Sequence, residues 1–149
     1  PGSGEDIRYV WDNNPGSPLY CSHGIGRLCR IDDAAGSRHF AYDAFGNLIE
    51  QLTVELGQSH RQTFHWDAEG RLIATSDGGG ASAVQRDSDG HARTVRATVA
   101  GQPIQLVDRS FIRLGGEAMS QQLGNNVLLE RSFDGSGALS GLNDSARPR

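Results

Sequence analysis

Three groups of residues in this chain have types and spacing that could do chemistry. Asp87-Ser88-Asp89-Gly90 starts as a calcium loop starts, with carboxylates at alternate positions followed by Gly. The third acidic position and the closing Glu are absent, however, and Asp-x-x-Gly is equally the composition of a tight turn. Cys21 and Cys29 are the only cysteines. They read as two unrelated thiols, since no framework of four or six cysteines accompanies them; the alternative is a disulfide across Gly24-Ile25-Gly26 in an oxidising space. Together with His23 and His39 they offer zinc-ligand atoms, but at a spacing that matches no zinc pattern. Gly24-Ile25-Gly26 lacks the third Gly of a dinucleotide fingerprint and opens no helix. The 5 histidines and 18 acidic residues allow many imagined triads, yet no Gly-x-Ser-x-Gly or comparable local signature is present. No catalytic residue, cofactor or metal is assigned, and an enzyme is the last of the readings carried forward.

Asp87 instead belongs to a phrase written five times: an aromatic or long side chain, Asp, two variable residues, Gly, and Leu two places on. The clearest copies are Phe40-Ala41-Tyr42-Asp43-Ala44-Phe45-Gly46-Asn47-Leu48 and Phe64-His65-Trp66-Asp67-Ala68-Glu69-Gly70-Arg71-Leu72. Weaker copies are Arg86-Asp87-Ser88-Asp89-Gly90, where Ala92 replaces Leu, and Phe133-Asp134-Gly135-Ser136-Gly137-Ala138-Leu139. The fifth is split, opening at Tyr9-Val10-Trp11-Asp12 and closing at Gly26-Arg27-Leu28. Asp at the first turn position bonds the backbone N–H groups ahead of it, and Gly at the fourth accepts positive φ and forms a bulge. The geometry predicts hairpins with Tyr42 opposite Leu48, Trp66 opposite Leu72, Phe133 opposite Leu139, and Phe40 opposite Glu50. A helix is excluded by Gly where it would have to continue. The structural turn residues are thus Asp12, Gly26, Asp43, Gly46, Asp67, Gly70, Asp87, Gly90, Asp134 and Gly137.

Steps between the turn glycines are 20, 24, 20 and 47, so a degenerate copy is expected near residues 111–116. Asp33-Ala34-Ala35-Gly36-Ser37, Glu55-Leu56-Gly57-Gln58-Ser59, Asp77-Gly78-Gly79-Gly80, Val99-Ala100-Gly101-Gln102-Pro103 and Gly124-Asn125-Asn126 supply the intervening reversals. Asn13-Asn14-Pro15-Gly16-Ser17-Pro18 is expected as an exposed loop, and Glu117 to Leu123 as a strand rather than a short helix. Residues 1–6 read as a tail, 7–142 as an array of about six hairpins, and 143–149 as a polar tail.

The phrases around Tyr42-Asp43 and Trp66-Asp67 resemble the YD repeat of the bacterial RHS family, as does Gly24-Ile25-Gly26-Arg27-Leu28 leading on to Phe40-Ala41-Tyr42-Asp43. The resemblance spans roughly residues 7–142. It implies an all-β fold: antiparallel hairpins in a curved, spiralling sheet, as a segment of an RHS cocoon that encloses a toxic C-terminal domain until delivery. It implies encapsulation without chemistry in this segment, a secreted or cell-surface location, and the enclosed toxin domain as partner. The self-cleaving motif that usually ends the family's core has no counterpart here. The sequence begins at Pro1 and ends on Arg149 beside repeat phrases, so it is expected to be a piece of a longer protein. Its open sheet edges would then pair with the rest of that parent, or with another chain.

Composition agrees with a thin sheet. Hydrophobic residues make up 36%, Gly numbers 20, and mean hydropathy is −0.48, which suits antiparallel strands with one wet face. All 14 basic residues are Arg, attributable to a GC-rich genome, and net charge is −4 without a basic stripe, so nucleic acid is not expected as a partner. No run of 18 apolar residues would span a membrane. Tyr9, Trp11, Phe40, Tyr42, Phe64 and Trp66 form an aromatic row across successive hairpins. Packing against the neighbouring hairpin is its first reading. A sugar-stacking or protein-binding platform, with glycan as ligand, is the alternative. His65 alternates with Phe64 and Trp66 and should face solvent, as should His91.

Overall fold

The computed structural model describes residues 6–112 and 117–146, and every regular element among them is a β-strand. The chain divides into two compact units, Pro1–Gly78 and Gly79–Arg149. The first contains β1 (Arg8–Trp11), β2 (Leu28–Asp33), β3 (Gly36–Tyr42), β4 (Leu48–Glu55), β5 (Gln58–Trp66) and β6 (Leu72–Ser76). The second contains β7 (Gly80–Arg86), β8 (Ala92–Val99), β9 (Gln102–Ile112), β10 (Ala118–Leu123), β11 (Val127–Phe133) and β12 (Leu139–Ala146). Within each unit every strand pairs antiparallel with its neighbours in the chain, as a meander of hairpins. The fold is all-β, as the turn spacing requires. Residues 117–123 hold β10 rather than a helix, since seven residues bracketed by glycines cannot offset the cost of helix nucleation. Residues 113–116, the centre of the expected degenerate copy, lie outside the described residues, and β12 runs on to Ala146, past the expected array boundary.

Register follows the turns, with one correction. Tyr42 faces Leu48, Trp66 faces Leu72 and Phe133 faces Leu139. Phe40 lies opposite Gln51 rather than Glu50, because the ladder shifts by one residue between Ala41 and Tyr42. Equivalent shifts occur between Val10 and Trp11, His65 and Trp66, Gln85 and Arg86, and Ser132 and Phe133. The extra residue recurs just after the closing position of every copy, at Cys29, Ile49, Ile73, Arg93 and Ser140, while the aromatic strands run on without a gap and keep the aromatic row on a single face in unit one.

Connections at the opposite edge are shorter. Leu56-Gly57 joins β4 to β5 and Ala100-Gly101 joins β8 to β9, all four residues having positive φ, the two-residue turn whose twist suits a hairpin. Leu56 is 96% exposed at φ 50°, so it carries left-handed strain with no packing in return. Leu56→Asn is expected to stabilise the chain by about 1 kcal/mol, because Asn tolerates that backbone region. A denaturation midpoint that fails to rise, at unchanged slope, would contradict this account.

Among the described residues the buried apolar core is small and lies in the first unit. Leu19, Ala41 and Leu52 form it, with Ile49 and Val54 packed alongside. Leu19 comes from the segment between β1 and β2, directly after residues 13–18, which the sequence places in an exposed loop. Pro15, Gly16 and Pro18 are exposed, but Asn14 and Leu19 turn inward at 5% and 7% exposure. A meander with so few apolar residues leaves one face thinly covered, and the loop covers it.

Candidate functional site: the Asp turns and the aromatic row

Each turn is organised by its Asp in the same way. At Asp43, the carboxylate Oδ1 accepts from the backbone N–H of Phe45 and of Asn47, both at 2.9 Å, while Gly46 N donates to Asp43 O at 3.1 Å. Asp67 accepts from Glu69 N at 3.1 Å and Arg71 N at 2.8 Å; Asp87 from Asp89 N at 3.1 Å and His91 N at 2.9 Å; Asp134 from Ser136 N at 2.9 Å and Ala138 N at 3.0 Å. Gly46, Gly70, Gly90 and Gly137 take φ between 76° and 94°, a region a β-carbon disfavours. The split copy closes on the same plan across its insertion: Gly26 N donates to Asp12 Oδ1 at 2.6 Å and Asp12 N to Arg27 O at 3.0 Å.

These bonds hold four carboxyls below their ordinary value. The Asn47 side-chain amide does most at Asp43, the Arg71 N–H at Asp67, and the Ser136 hydroxyl at Asp134. At Asp87 burial acts in the raising direction and is outweighed by the His91 N–H and the Arg93 guanidinium. Since each folded pKa is depressed, the stabilisation is fully present above the unfolded carboxylate value, near pH 4, and is lost as pH falls through the folded values. The denaturant midpoint is therefore expected to be level from pH 7 to about 5 and to drop below about 4. A midpoint that stays flat down to about pH 3 would remove these carboxylates from the account of stability.

Asp87, Asp89 and His91 bring potential metal-ligand atoms within 4.8 Å of one another. Asp87 is already committed: Oδ2 accepts from Arg93 Nε at 2.8 Å, and His91 Nδ1 stands 3.6 Å from Oδ1. A guanidinium seated on the central carboxylate makes this a turn with its ion pair. His91, expected exposed, is half-buried through that contact, whereas His65 is exposed.

The sequence reading of Cys21 and Cys29 as separate thiols is overturned. Their sulfurs are bonded, with 5.5 Å between Cα atoms, and exposure is 3% and 0%. A β-carbon on Gly24 would meet Cys21 Sγ at 2.5 Å and Cys29 Sγ at 2.7 Å, so only Gly lets the loop lie flat on the bridge. Asn14 completes the clasp, donating to Leu19 O at 2.8 Å and accepting from Cys21 N at 2.9 Å. His39 on β3 is buried with Ser17 Oγ 2.5 Å from Nδ1 and Ser37 Oγ 2.9 Å from Nε2. Burial and the Arg30 guanidinium lower its pKa, against Asp32, so the neutral ring clamps the loop to the strand. Spacing left the disulfide as an alternative and gave no sign of the Asn14 and His39 contacts, because those depend on how the segment between β1 and β2 folds back on the strands.

The aromatic row has an order that sequence reasoning missed. Tyr42 Oη donates to Leu28 O at 2.6 Å, and Trp66 Nε1 donates to Leu48 O at 2.8 Å. In both cases the aromatic that opens one hairpin reaches the carbonyl of the Leu that closes the hairpin before it. The β2–β3 ladder begins at Arg30 and His39, and the β4–β5 ladder at Glu50 and Thr63. Each ladder therefore starts two residues after the Leu and three before the aromatic, leaving a carbonyl that a side chain must satisfy. Burial raises the Tyr42 pKa, the Arg27 guanidinium 5.7 Å from its ring acting the other way, so the hydroxyl keeps its proton. Phe40 and Phe64 are half-buried on the same face, while Tyr9 and Trp11 on β1 are 54% and 56% exposed.

No protein family matches this sequence, and no curated protein matches it. Solved structures do. TcdB2-TccC3 superposes on 95% of this chain with a TM-score of 0.82 and 18% identity. TcdB2-TccC3-Cdc42 covers 93% with a TM-score of 0.79 and 17% identity. The Photorhabdus luminescens Tc holotoxin pore covers 93% with a TM-score of 0.77 and 17% identity. This chain spans about 8% of the length of each of those chains. At such identity the likeness establishes architecture, and the architecture is an RHS-like array of consecutive antiparallel hairpins.

Proposed function

We propose that this chain is a stretch of wall in a larger toxin-enclosing shell of secreted or cell-surface type, and performs no catalysis itself. The observation that carries the reading is the superposition on 95% of this chain of a small part of TcdB2-TccC3. Every feature of the site serves wall-building: carboxylates fix the reversals, and aromatic donors tie one hairpin to the next. The natural partners are the remainder of a longer parent protein and a domain held inside it. The test is protease challenge of the full-length parent with its C-terminal domain followed by immunoblot. Protection of that domain in the intact parent, lost when its wall is breached, is expected. Digestion of the domain at the rate of the free domain would overturn the reading.

One observation favours a second reading, a glycan- or protein-binding face: Tyr9 and Trp11 are more than half exposed. A glycan-array signal abolished by Trp11→Ala at unchanged stability would establish it, and a blank array would return both residues to the sheet edge.

A further inference from the structure

Two features of this chain are opposite in shape, and the ties between hairpins use neither. The first is a projection. Phe45 stands at the tip of the Asp43 turn and is 91% exposed. Its backbone is fixed, since Phe45 N donates to Asp43 Oδ1 at 2.9 Å and Gly46 N to Asp43 O at 3.1 Å. Neighbouring turns flank it on both sides. A β-carbon on Gly46 would collide with the Arg27 guanidinium, and one on Gly70 would lie 3.9 Å from Asn47 Oδ1. Asp67 and Asp87 each hold an Arg, but the Asp43 carboxylate has no cationic partner among the described residues.

The second feature is a hollow in unit two. β9 starts at Gln102, yet the last residue of β10, Leu123, pairs with Val107, so residues 102–106 run past the end of β10. The step leaves a cavity of about 490 Å3, lined by Pro103, Ile104 and Leu106 on one side and by Leu123 and Asn125 on the other. A further strand is a poor occupant, because Pro103 offers no N–H to a ladder. A polar ligand finds the side chains of Gln105 and Asn125 already engaged. Gln105 accepts from Arg96 Nε at 2.9 Å and donates to Val107 O at 2.6 Å, while Asn125 Oδ1 accepts from Val127 N at 3.2 Å. What remains is apolar, with Ile104 and Leu106 at 42% and 48% exposure. Beside it the Arg96 guanidinium has no carboxylate partner among the described residues.

We propose that Phe45 of one copy of this chain seats in the hollow beside β9 of a second copy, with Asp43 facing Arg96. An aromatic ring flanked by an uncompensated carboxylate meets an apolar hollow flanked by an uncompensated guanidinium, so shape and charge agree. Aromatic side chains bury about 150–250 Å2 each, which is why they anchor contacts of this kind. The tips of the Asp67, Asp87 and Asp134 turns are poorer candidates, being Glu69, Asp89 and Ser136. Ile25 and Leu56, at 85% and 96% exposure, are the competing projections. Because projection and hollow are different surfaces, the contact is heterologous and repeats from copy to copy. It goes beyond the wall reading by adding a joint between copies, and either stands without the other.

The test is sedimentation velocity of the intact chain from about 10 μM to 1 mM, the range suited to a small contact. Mass is expected to rise in multiples of 16.0 kDa, and less so as salt is raised from about 50 to 500 mM, which screens the charge pair. Phe45→Ser keeps the turn, since Ser136 holds the same place in the Asp134 turn, and is expected to weaken association roughly thirtyfold. Ile104→Glu puts a charge into the hollow and is expected to do the same. The decisive sample is an equimolar mixture of these two variants. Each is expected to be monomeric alone, and together they form a dimer and nothing larger, because one intact projection meets one intact hollow. If Ile104→Glu fails to fold, Arg96→Glu replaces it by setting two carboxylates face to face. A chain that stays monomeric throughout overturns the proposal, and so does a mixture that stays monomeric. Association kept by Phe45→Ser but lost with Ile25→Ser or Leu56→Asn overturns it as well.

Discussion

Reducing the Cys21–Cys29 bridge, or replacing both residues with Ser, is expected to lower the unfolding free energy by about 2.5 kcal/mol, the chain-entropy value for so short a loop. The bridge spans a sequence separation of 8, and both sulfurs are buried. Its consequence reaches beyond the loop, because Leu19 supplies one of three buried members of the unit-one core, and the loop holds Leu19 there. Two thiols need more room than a disulfide, and the Gly24 backbone already lies against both sulfurs. Reduction should therefore lift the loop from β3 and β4, freeing Asn14 and His39 from their partners. The measurement is a denaturation curve with and without a dithiol, paired with limited proteolysis near Tyr20, which is 78% exposed. Coincident curves and unchanged cleavage would mean that the loop is held by Asn14 and Ser17 alone.

The fold was legible because its punctuation is local. Asp43 and Gly46 lie within one turn, and the chemistry fixing that turn involves only residues 43 to 47. The same holds at Asp67 and Asp134, and at Asp87 with Arg93 as a further partner, so spacing alone gave reversals, strand order and most of the register. Phe40 was misplaced by one residue because Ile49 bulges out of the closing strand just past Leu48, where composition carries no mark. The insertion after Asp12 was harder for a different reason. Its turn-forming residues spoke for exposure, but the Asn14 side chain bonds Leu19 O, Cys21 N and, on β2, Cys29 O, and those partners converge only in the packed structure. The disulfide stayed the second reading likewise, since a sequence separation of 8 says nothing about whether two Cys side chains converge. The aromatic row was seen as a surface, whereas its polar tips decide its role. That Tyr and Trp, rather than Phe, precede Asp43 and Asp67 was the available signal: both carry a donor that Phe lacks.

Trp66 offers the sharpest separation between packing and binding. Trp66→Phe keeps an aromatic ring but removes the pyrrole half of the indole with its N–H, and leaves the Leu48 carbonyl beyond the end of its ladder without a donor. About 1 kcal/mol of stability should go with it. Trp66→Ala also removes the ring that covers Leu72 across the hairpin and is expected to cost about 2–4 kcal/mol, near the lower range for large aromatic truncations because the site is half-buried. The carbonyl left behind belongs to the preceding hairpin, so the damage should appear in both: faster amide exchange in β4 as well as β5. Urea unfolding of the two variants, with exchange read strand by strand, tests the sequence of effects. If Trp66→Phe matches the unaltered chain while Trp66→Ala falls, the ring alone holds the hairpins together and the donor adds nothing. If neither substitution moves stability, the row is not a packing device at all, and the exposed end at Tyr9 and Trp11 would have to be understood as the start of a ligand-binding face. The wall account requires the graded loss, because a shell extended hairpin by hairpin needs a tie between each copy and the one before it.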